Sequence, residues 1–194
     1  MNPLTPSDLL SHADYEAQRP AFRQEIIALK KRRRIEVGPL VTLVFENRHT
    51  LLFQVQEMVR VERIFEPSKI QDELDVYNAL LPGPGELSAT VMIEITTQEH
   101  IKEILDSFQQ FDRPDTLALT VGDQAVFAGF EAGHSKEDKI SAVHFVRFAV
   151  PPAFVHALGE DGSPAGIRIT HEHYTAEANV PSAMREEWLK DLHA

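Results

Sequence analysis

The stretch LVTLVFENRHTLLFQVQEMVRVERI, Leu40 to Ile64, decides the fold class because it joins two kinds of element. Its first six residues are rich in leucine and valine, which predicts a buried strand from Leu40 to Phe45. Asn47 is a favoured helix-capping residue, and the apolar positions after it recur at helical spacing. The stretch therefore predicts a buried strand followed directly by an amphipathic helix.

This helix carries an apolar stripe, a polar face and one misplaced charge. On a wheel of about 100° per residue, five side chains share the stripe: Leu51, Leu52, Val55, Met58 and Val59. A second face holds polar side chains: Gln56, Arg60 and Arg63, with Glu57 beyond them. Glu62 falls inside the apolar stripe, where an unpaired charge is costly. Either the helix has frayed by residue 62, or an arginine pairs the carboxylate, or Glu62 is a buried functional group.

Helices flank this stretch on both sides. Ser7 or Asp8 can cap a short first helix, and Pro20 suits the first turn of a second helix that ends near Arg34. A further helix begins at Pro67 or Ser68 and ends at the Pro82–Gly85 loop.

The second half of the sequence is predicted to be rich in strands. Apolar alternation, turn residues and helical spacing predict these elements in order: a strand Leu87–Ile95, a helix Gln98–Gln109, a hairpin of Thr116–Val121 and Gln124–Phe130, a strand Ile140–Val150, a short helix to Leu158, a strand Ile167–Tyr174 and a helix Ser182–Leu192. We therefore expect one α+β domain over residues 1–194, mainly an antiparallel sheet with N-terminal and flanking helices. Within it, residues 1–38 are helical and basic, 39–85 hold a strand and two helices, and 86–194 are β-rich.

Composition limits the compartment and the chemistry. The chain has no cysteine, which excludes disulfides and thiolate chemistry, and it has no apolar run long enough for a membrane. Its first residues, MNPLTPSDLL, lack a basic segment followed by an apolar one, so we expect no secretory signal. We expect a cytoplasmic protein.

The net charge is −11, so the acidic chain should repel nucleic acid, and we do not expect nucleic acid as a ligand. The basic run Lys30–Arg34 could bind an anion, or it could be a cationic helix end facing the acidic body.

Histidines and carboxylates suggest a possible metal site. His144 lies on the more apolar face of its predicted strand, and His171 and His173 are spaced to project from one face of theirs. With three carboxylates from the first half, the candidate ligands are Glu46, Glu57, Glu62, His144, His171 and His173. Such a nitrogen and oxygen set suits iron, manganese or zinc. The sequence holds no HExxH motif, phosphate loop or GxSxG elbow, and each histidine could instead be an ordinary packed or exposed residue.

Four motifs resemble a bacterial family of unknown function. They are FENRHT at 45–50, QVQEMVRVERI at 54–64, ELDVYN at 73–78 and SAVHFVRF at 141–148, within a resemblance that spans roughly Tyr15 to Tyr174. The resemblance implies genes beside rubrerythrin-like proteins and an iron–sulfur protein related to heterodisulfide reductase, and hence a role near redox or peroxide handling. It also implies importance for a polar set: Asn47, Arg48, Gln54, Gln56, Arg60, Arg63, Arg147 and Tyr174. His173 departs from the family spacing, so His171 is the better candidate ligand.

Three functions fit these observations. The first is a non-catalytic accessory or interaction protein with redox partners, in which arginines pair the carboxylates. The second is a metal-binding protein or non-haem iron enzyme built on the histidines and carboxylates. The third is a binder of small anions gripped by Arg48, Arg60 or Arg147. The sequence leaves the oligomeric state and the reaction, if any, open.

Overall fold

Two antiparallel sheets and a helical layer form the fold, in a computed structural model that describes residues 1–95, 99–131, 141–160 and 162–193. The helices are α1 (His12–Lys31), α2 (Arg48–Val61), α3 (Pro67–Asn78), α4 (Ile101–Ser107), α5 (Pro152–Gly159) and α6 (Ser182–Leu192), and a 3-10 helix, Pro6–Asp8, precedes them. The strands are β1 (Arg34–Val37), β2 (Val41–Glu46), β3 (Glu86–Ile93), β4 (Leu117–Val121), β5 (Gln124–Phe127), β6 (Gly129–Phe130), β7 (Val143–Ala149), β8 (Ala165–His171) and β9 (Tyr174–Asn179). The expected α+β class is confirmed.

The strands divide between two sheets. Sheet A has the order β1-β2-β3-β7-β6, and sheet B has the order β5-β4-β8-β9. The chain passes from sheet B to sheet A between β5 and β6, at the buried Ala128, whose N–H donates to the Leu117 carbonyl at 2.9 Å. The single strand expected over Gln124–Phe130 is therefore two short strands in different sheets.

Sheet A has a core on each of its faces. The larger core combines side chains of both sheets with residues of α5 and α6, including Phe45, Phe148 and Trp188. The smaller core joins the opposite face of sheet A, through Phe145, to the apolar sides of α2 and α3. Successive residues of a strand point to opposite faces of the sheet. The position of a residue along its strand therefore decides which of the two cores its side chain can enter.

The N-terminal helices differ from the expectation. A single helix, α1, runs through Pro20, although a proline inside a helix removes one backbone hydrogen bond. Pro20 and Glu16, whose carbonyl loses that bond, are both exposed, so water can satisfy the carbonyl. The basic run does not end this helix at Arg34, because α1 stops at Lys31 and Arg34 already begins β1.

The boundaries of the later elements agree with the sequence in some places and differ in others. Helix α6 occupies Ser182–Leu192 as expected, and Gly122 with Asp123 turns the hairpin between β4 and β5. The expected last strand is instead a hairpin, with Glu172 and His173 in the turn and β9 returning beside β8. The expected starts at Gln98 and Ile140 lie outside the described residues. Within the described residues, no helix is both long and apolar enough to cross a bilayer.

Candidate functional site

The start of α2 is fixed by its own cap. The Asn47 side-chain oxygen accepts hydrogen bonds from the N–H groups of His49 and Thr50, both at 3.0 Å. The Thr50 hydroxyl accepts one from the Asn47 N–H at 2.9 Å. This reciprocal pair satisfies donors that a helix start otherwise leaves free. Capping thus explains Asn47 without a ligand.

Glu46 is a buried carboxylate held by neutral donors. Glu46 is the last residue of β2 and is 3% exposed. Thr50 donates to it at 2.5 Å, Thr90 at 2.9 Å and Gln54 at 3.2 Å. These bonds join β2, β3 and α2, and they satisfy a group whose burial would otherwise be costly.

Arg147 lies in the same row across sheet A as Glu46. The register pairs Glu46 with Ser88 and Ser88 with Arg147, so the three side chains share one face. The guanidinium of Arg147 donates to the carbonyls of Leu81 (2.7 Å) and Ala79, and its Nη1 atom lies 3.2 Å from the Glu86 carboxylate. Arg147 therefore closes the loop after α3 onto the sheet.

A second polar centre joins α1 to α2 around Glu57. The Tyr15 hydroxyl donates to the Glu57 carboxylate at 2.6 Å, and Arg19 donates to both oxygens at 2.6 and 2.8 Å. The bonds from Arg19 lower the pKa of Glu57 to about 2, with burial opposing and Tyr15 assisting. Burial and the bond to Glu57 raise the pKa of the Tyr15 phenol above its usual range. The centre therefore holds an ionised carboxylate and a neutral phenol at pH 7.

Three more polar residues of α2 hold the N-terminal segment. Gln56 exchanges two hydrogen bonds with the backbone of Leu10, at 2.9 and 3.2 Å. Arg60 pairs with Glu16 at 2.7 Å. Arg48 pairs with Asp8 at 2.7 Å and donates to the Asn2 carbonyl. Because Arg48, Arg60 and Arg147 already face carboxylates of the chain, the geometry gives the anion-binding hypothesis no support.

Glu62 and Arg63 end α2 in solvent. Glu62 is the exposed C-cap residue, because α2 ends at Val61. Of the three alternatives for Glu62, this geometry fits the one in which the helix no longer continues at residue 62. Arg63 follows with a left-handed backbone, φ 52°. Its N–H donates to the Arg60 carbonyl, and the Ile64 N–H donates to Val59, which is a Schellman ending.

His144 is inward as expected but lies on the wrong face to meet the carboxylates. It is buried, with the rings of Phe111 and Phe130 both 5.9 Å away between centroids. The register pairs it with Val91, in the larger core, whereas Glu46 lies in the row of Ser88 on the opposite face. The thickness of the sheet therefore separates His144 from Glu46.

The two-histidine chelate fails for a different reason. His173 lies in the turn between β8 and β9 rather than on the strand, so it does not repeat the direction of His171. One ring nitrogen of His171 lies 2.8 Å from the Gln109 carbonyl, and the other accepts the His173 N–H at 3.3 Å. Both nitrogens are thus used within the chain.

The proposed ligand set is scattered over the molecule. Glu57 lies between α1 and α2, and Glu62 is exposed at the end of α2. His144 is in β7, His171 ends β8, and His173 lies in the turn after it. The described residues contain no cluster of three or more histidine, aspartate or glutamate side chains arranged to hold a metal. The geometry does not bring the expected iron, manganese or zinc site together.

Tyr174 joins the two sheets. Its hydroxyl donates to the Val37 carbonyl at 2.6 Å and accepts from the Leu40 N–H at 3.1 Å. Gly38 lies beneath it with φ +71°, where an added Cβ would meet the Tyr174 hydroxyl and lie 2.8 Å from the Ala176 Cβ. Tyr174 thus fastens the turn between β1 and β2 to β9.

A buried ion cluster around Arg33 was not predicted from the sequence. Arg33 is 1% exposed and donates to Asp191 at 2.7 and 2.9 Å and to Glu187 at 3.1 and 3.3 Å. Burial raises the pKa of Asp191. Burial also acts against Glu187, but the bond from Lys190 and the charge of Arg33 outweigh it and lower that pKa. The sequence does carry one indication of this cluster. Glu187 and Asp191 are four residues apart, so they lie on one face of the last helix, near the apolar Met184 and Trp188.

The comparisons with known proteins agree on a family without an assigned activity. A family model described as "Protein of unknown function (DUF3501)" matches residues 3–192. A crystal structure titled as a novel protein of unknown function from Burkholderia pseudomallei K96243 is similar, with 32% identity and a TM-score of 0.89. The match covers 98% of this chain and 100% of the chain in that crystal structure. None of the curated proteins compared with the chain matches it.

Proposed function

The chain belongs to the DUF3501 family of proteins of unknown function, and we propose that it acts as a non-catalytic accessory protein that binds a redox partner. The resemblance set out above implies the partner class, a rubrerythrin-like or iron–sulfur protein, and a cytoplasmic location. No membrane and no nucleic acid takes part in the proposed role.

The observation that supports this proposal is the use made of the polar side chains of α2. Gln56, Glu57 and Arg60 each bond to α1 or to the segment before it. A catalytic group needs a reactive atom within reach of a substrate, whereas these atoms already contact donors or acceptors of the protein. Their shared effect is to fix α1 and the N-terminal segment against α2, and so to give the outer helical layer a defined shape.

A rigid outer layer suits recognition. Partners that bind preformed surfaces lose less conformational freedom on association than partners that must order a segment. Helix α1 packs on α2 with Tyr15 and Phe22, and Phe22 contacts the ring of Phe53 at 5.6 Å between centroids. The remaining surface of α1 is largely exposed, so it is available to a partner protein.

Direct binding tests the proposal. The chain would be titrated by calorimetry with purified rubrerythrin-like and iron–sulfur proteins encoded beside it, and a saturable complex is expected with one of them. The variant Tyr15→Phe combined with Glu57→Gln loosens α1 on α2 and should weaken the complex, whereas Arg34→Ala, at an exposed ion pair with Glu94, should not.

Elemental analysis of the untagged protein separates this role from metal binding. The protein would be purified without chelator from cells supplied with iron, manganese and zinc. We expect metal far below one ion per chain. Near-stoichiometric metal that falls in His144→Ala or His171→Ala, together with no complex in the titration, would overturn the accessory role.

A further inference from the structure

The corner between α2 and α3 exposes apolar side chains at close sequence spacing. Val61 is 61% exposed at the end of α2, and Phe65 is 66% exposed in the connection to α3. The ring of Phe65 lies 5.4 Å from the ring of His12, between centroids, at the edge of the N-terminal layer. Clustered exposed apolar side chains are typical of surfaces that bind another protein.

Between these apolar residues stand two opposite charges. Glu62 and Arg63 are both exposed, and neither forms an ion pair or a side-chain hydrogen bond with any residue that the structure describes. Three other arginines of the helical layer, Arg19, Arg48 and Arg60, each pair with a carboxylate. Glu62 and Arg63 therefore face solvent with their charges uncommitted to the described parts of the chain.

The backbone at Arg63 is held in a form that favours glycine. Its φ of 52° belongs to the left-handed region, which a side chain makes unfavourable. Glycine is the usual residue at this position of a Schellman ending. Strained backbone in a well-fixed turn is often found where a side chain has a binding role. The Schellman ending of α2 thus carries an exposed arginine, two positions before Phe65, where glycine would be less strained.

We propose that this α2–α3 corner, defined as Val61, Glu62, Arg63 and Phe65, binds a second copy of the chain across a two-fold axis. In such an interface the same patch meets itself, so it must be complementary to itself. The corner meets this condition because it carries one acidic and one basic side chain next to each other. A two-fold axis sets Arg63 against the partner's Glu62, and the partner's Arg63 against Glu62, with the apolar side chains between them.

A second copy fits the corner better than a different protein of one charge sign. A purely acidic partner would pair Arg63 and repel Glu62, and a basic partner would do the reverse. The corner comprises four residues, whereas a standard stable interface uses about 20–30 residues a side. The dimer is accordingly weak, with dissociation in the micromolar range, and it does not depend on the redox partner proposed above.

Sedimentation velocity of the full chain over roughly 1–500 µM tests the dimer, since interfaces of this class dissociate within that range. The wild type is expected to shift from monomer to dimer as concentration rises. Phe65→Ser should weaken this association by roughly tenfold or more, as truncation of a central aromatic residue does. Phe127→Ser, at a phenylalanine of β5 that is 49% exposed and outside the corner, is the matched control and should leave it unchanged.

A charge exchange tests the pairing itself. Glu62→Arg gives two adjacent arginines and Arg63→Glu gives two adjacent glutamates, so each variant alone should stay monomeric. An equimolar mixture of the two should recover a heterodimer, because each acidic corner then meets a basic one. Far-ultraviolet circular dichroism and the melting temperature should stay near those of the wild type.

Three results would overturn the proposal. They are a wild type that remains monomeric throughout the concentration range, a dimer that Phe65→Ser and both charge variants leave intact, and a mixture of the charge variants that fails to associate. None of these bears on the redox partner, which the separate titration decides.

Discussion

Arg33 and Asp191 form a bidentate ion pair, with hydrogen bonds of 2.7 and 2.9 Å, inside the protein. Arg33 follows α1 and Asp191 lies in α6, so the pair joins two segments that are 158 positions apart in the sequence. Glu187 completes the cluster one helical turn earlier. The last helix is thereby fixed to the junction of α1 and β1.

Removing the guanidinium should be severe. Arg33→Ala leaves Glu187 and Asp191 buried without their main cation, so we expect the free energy of unfolding to fall by about 3–5 kcal/mol. Urea denaturation followed by circular dichroism measures it. Arg34→Ala, beside it but paired with the exposed Glu94, should cost about 1 kcal/mol or less. Equal losses in the two variants would contradict the buried role of Arg33.

Acid should destabilise the protein partly through Glu57. Its pKa is about 2 in the folded protein and near its ordinary 4.5 after unfolding. Because the folded-state pKa is depressed, this stabilisation is present above pH 4.5 and disappears as pH falls toward 2. Allowing for partial exposure, it is worth about 2 kcal/mol. Stability measured from pH 7 to pH 2 should fall less steeply in Glu57→Gln, and an unchanged slope would contradict this assignment.

Gly38 should not tolerate a side chain. Gly38→Ala combines a left-handed backbone with collisions against Tyr174 and Ala176, so we expect a loss of about 2–4 kcal/mol in the free energy of unfolding. Gly122→Ala is the matched control, because Gly122 has φ +54° and open space around the added Cβ. Only the conformational part, about 1–2 kcal/mol, should remain there. Similar losses at both glycines would argue against the close contact with Tyr174.

Arg63→Gly should stabilise the fold. Glycine adopts the left-handed C′ conformation without the steric cost that arginine bears, so thermal and urea unfolding of dilute protein should show a gain of about 0.5–1 kcal/mol. Arg63→Ala keeps a Cβ and should give little gain. A destabilised Arg63→Gly would mean that the arginine side chain stabilises the monomer through contacts of its own.

Local signals in the sequence predict elements well where one feature dominates. The Asn47 cap, the Gly122-Asp123 turn and the periodicity of Ser182–Leu192 each lead to the observed element. Local signals fail where contacts between distant parts of the chain determine whether an element continues. Pro20 predicts a helix start, yet α1 continues through it because packing against α2 on both sides of the proline supports one helix.

The candidate site shows the same limit. His144 is inward, as the alternation along its strand predicted, and Glu46 is buried at the end of β2. Whether they meet depends on which face of sheet A each occupies, and this follows from the pairing of β2, β3 and β7 rather than from any local pattern. Likewise, Arg33 can be buried only because α6 returns with two carboxylates.

The alternation along β7 also protects the protein against misassembly. His144, Val146 and Phe148 enter the larger core, while Arg147 reaches the carbonyls on the other side of the sheet. A slip of one residue against β3 would force the guanidinium among the phenylalanines and withdraw its carbonyl partners. Such a shifted pairing is costly on both faces at once, so the native register is strongly favoured over its nearest competitor.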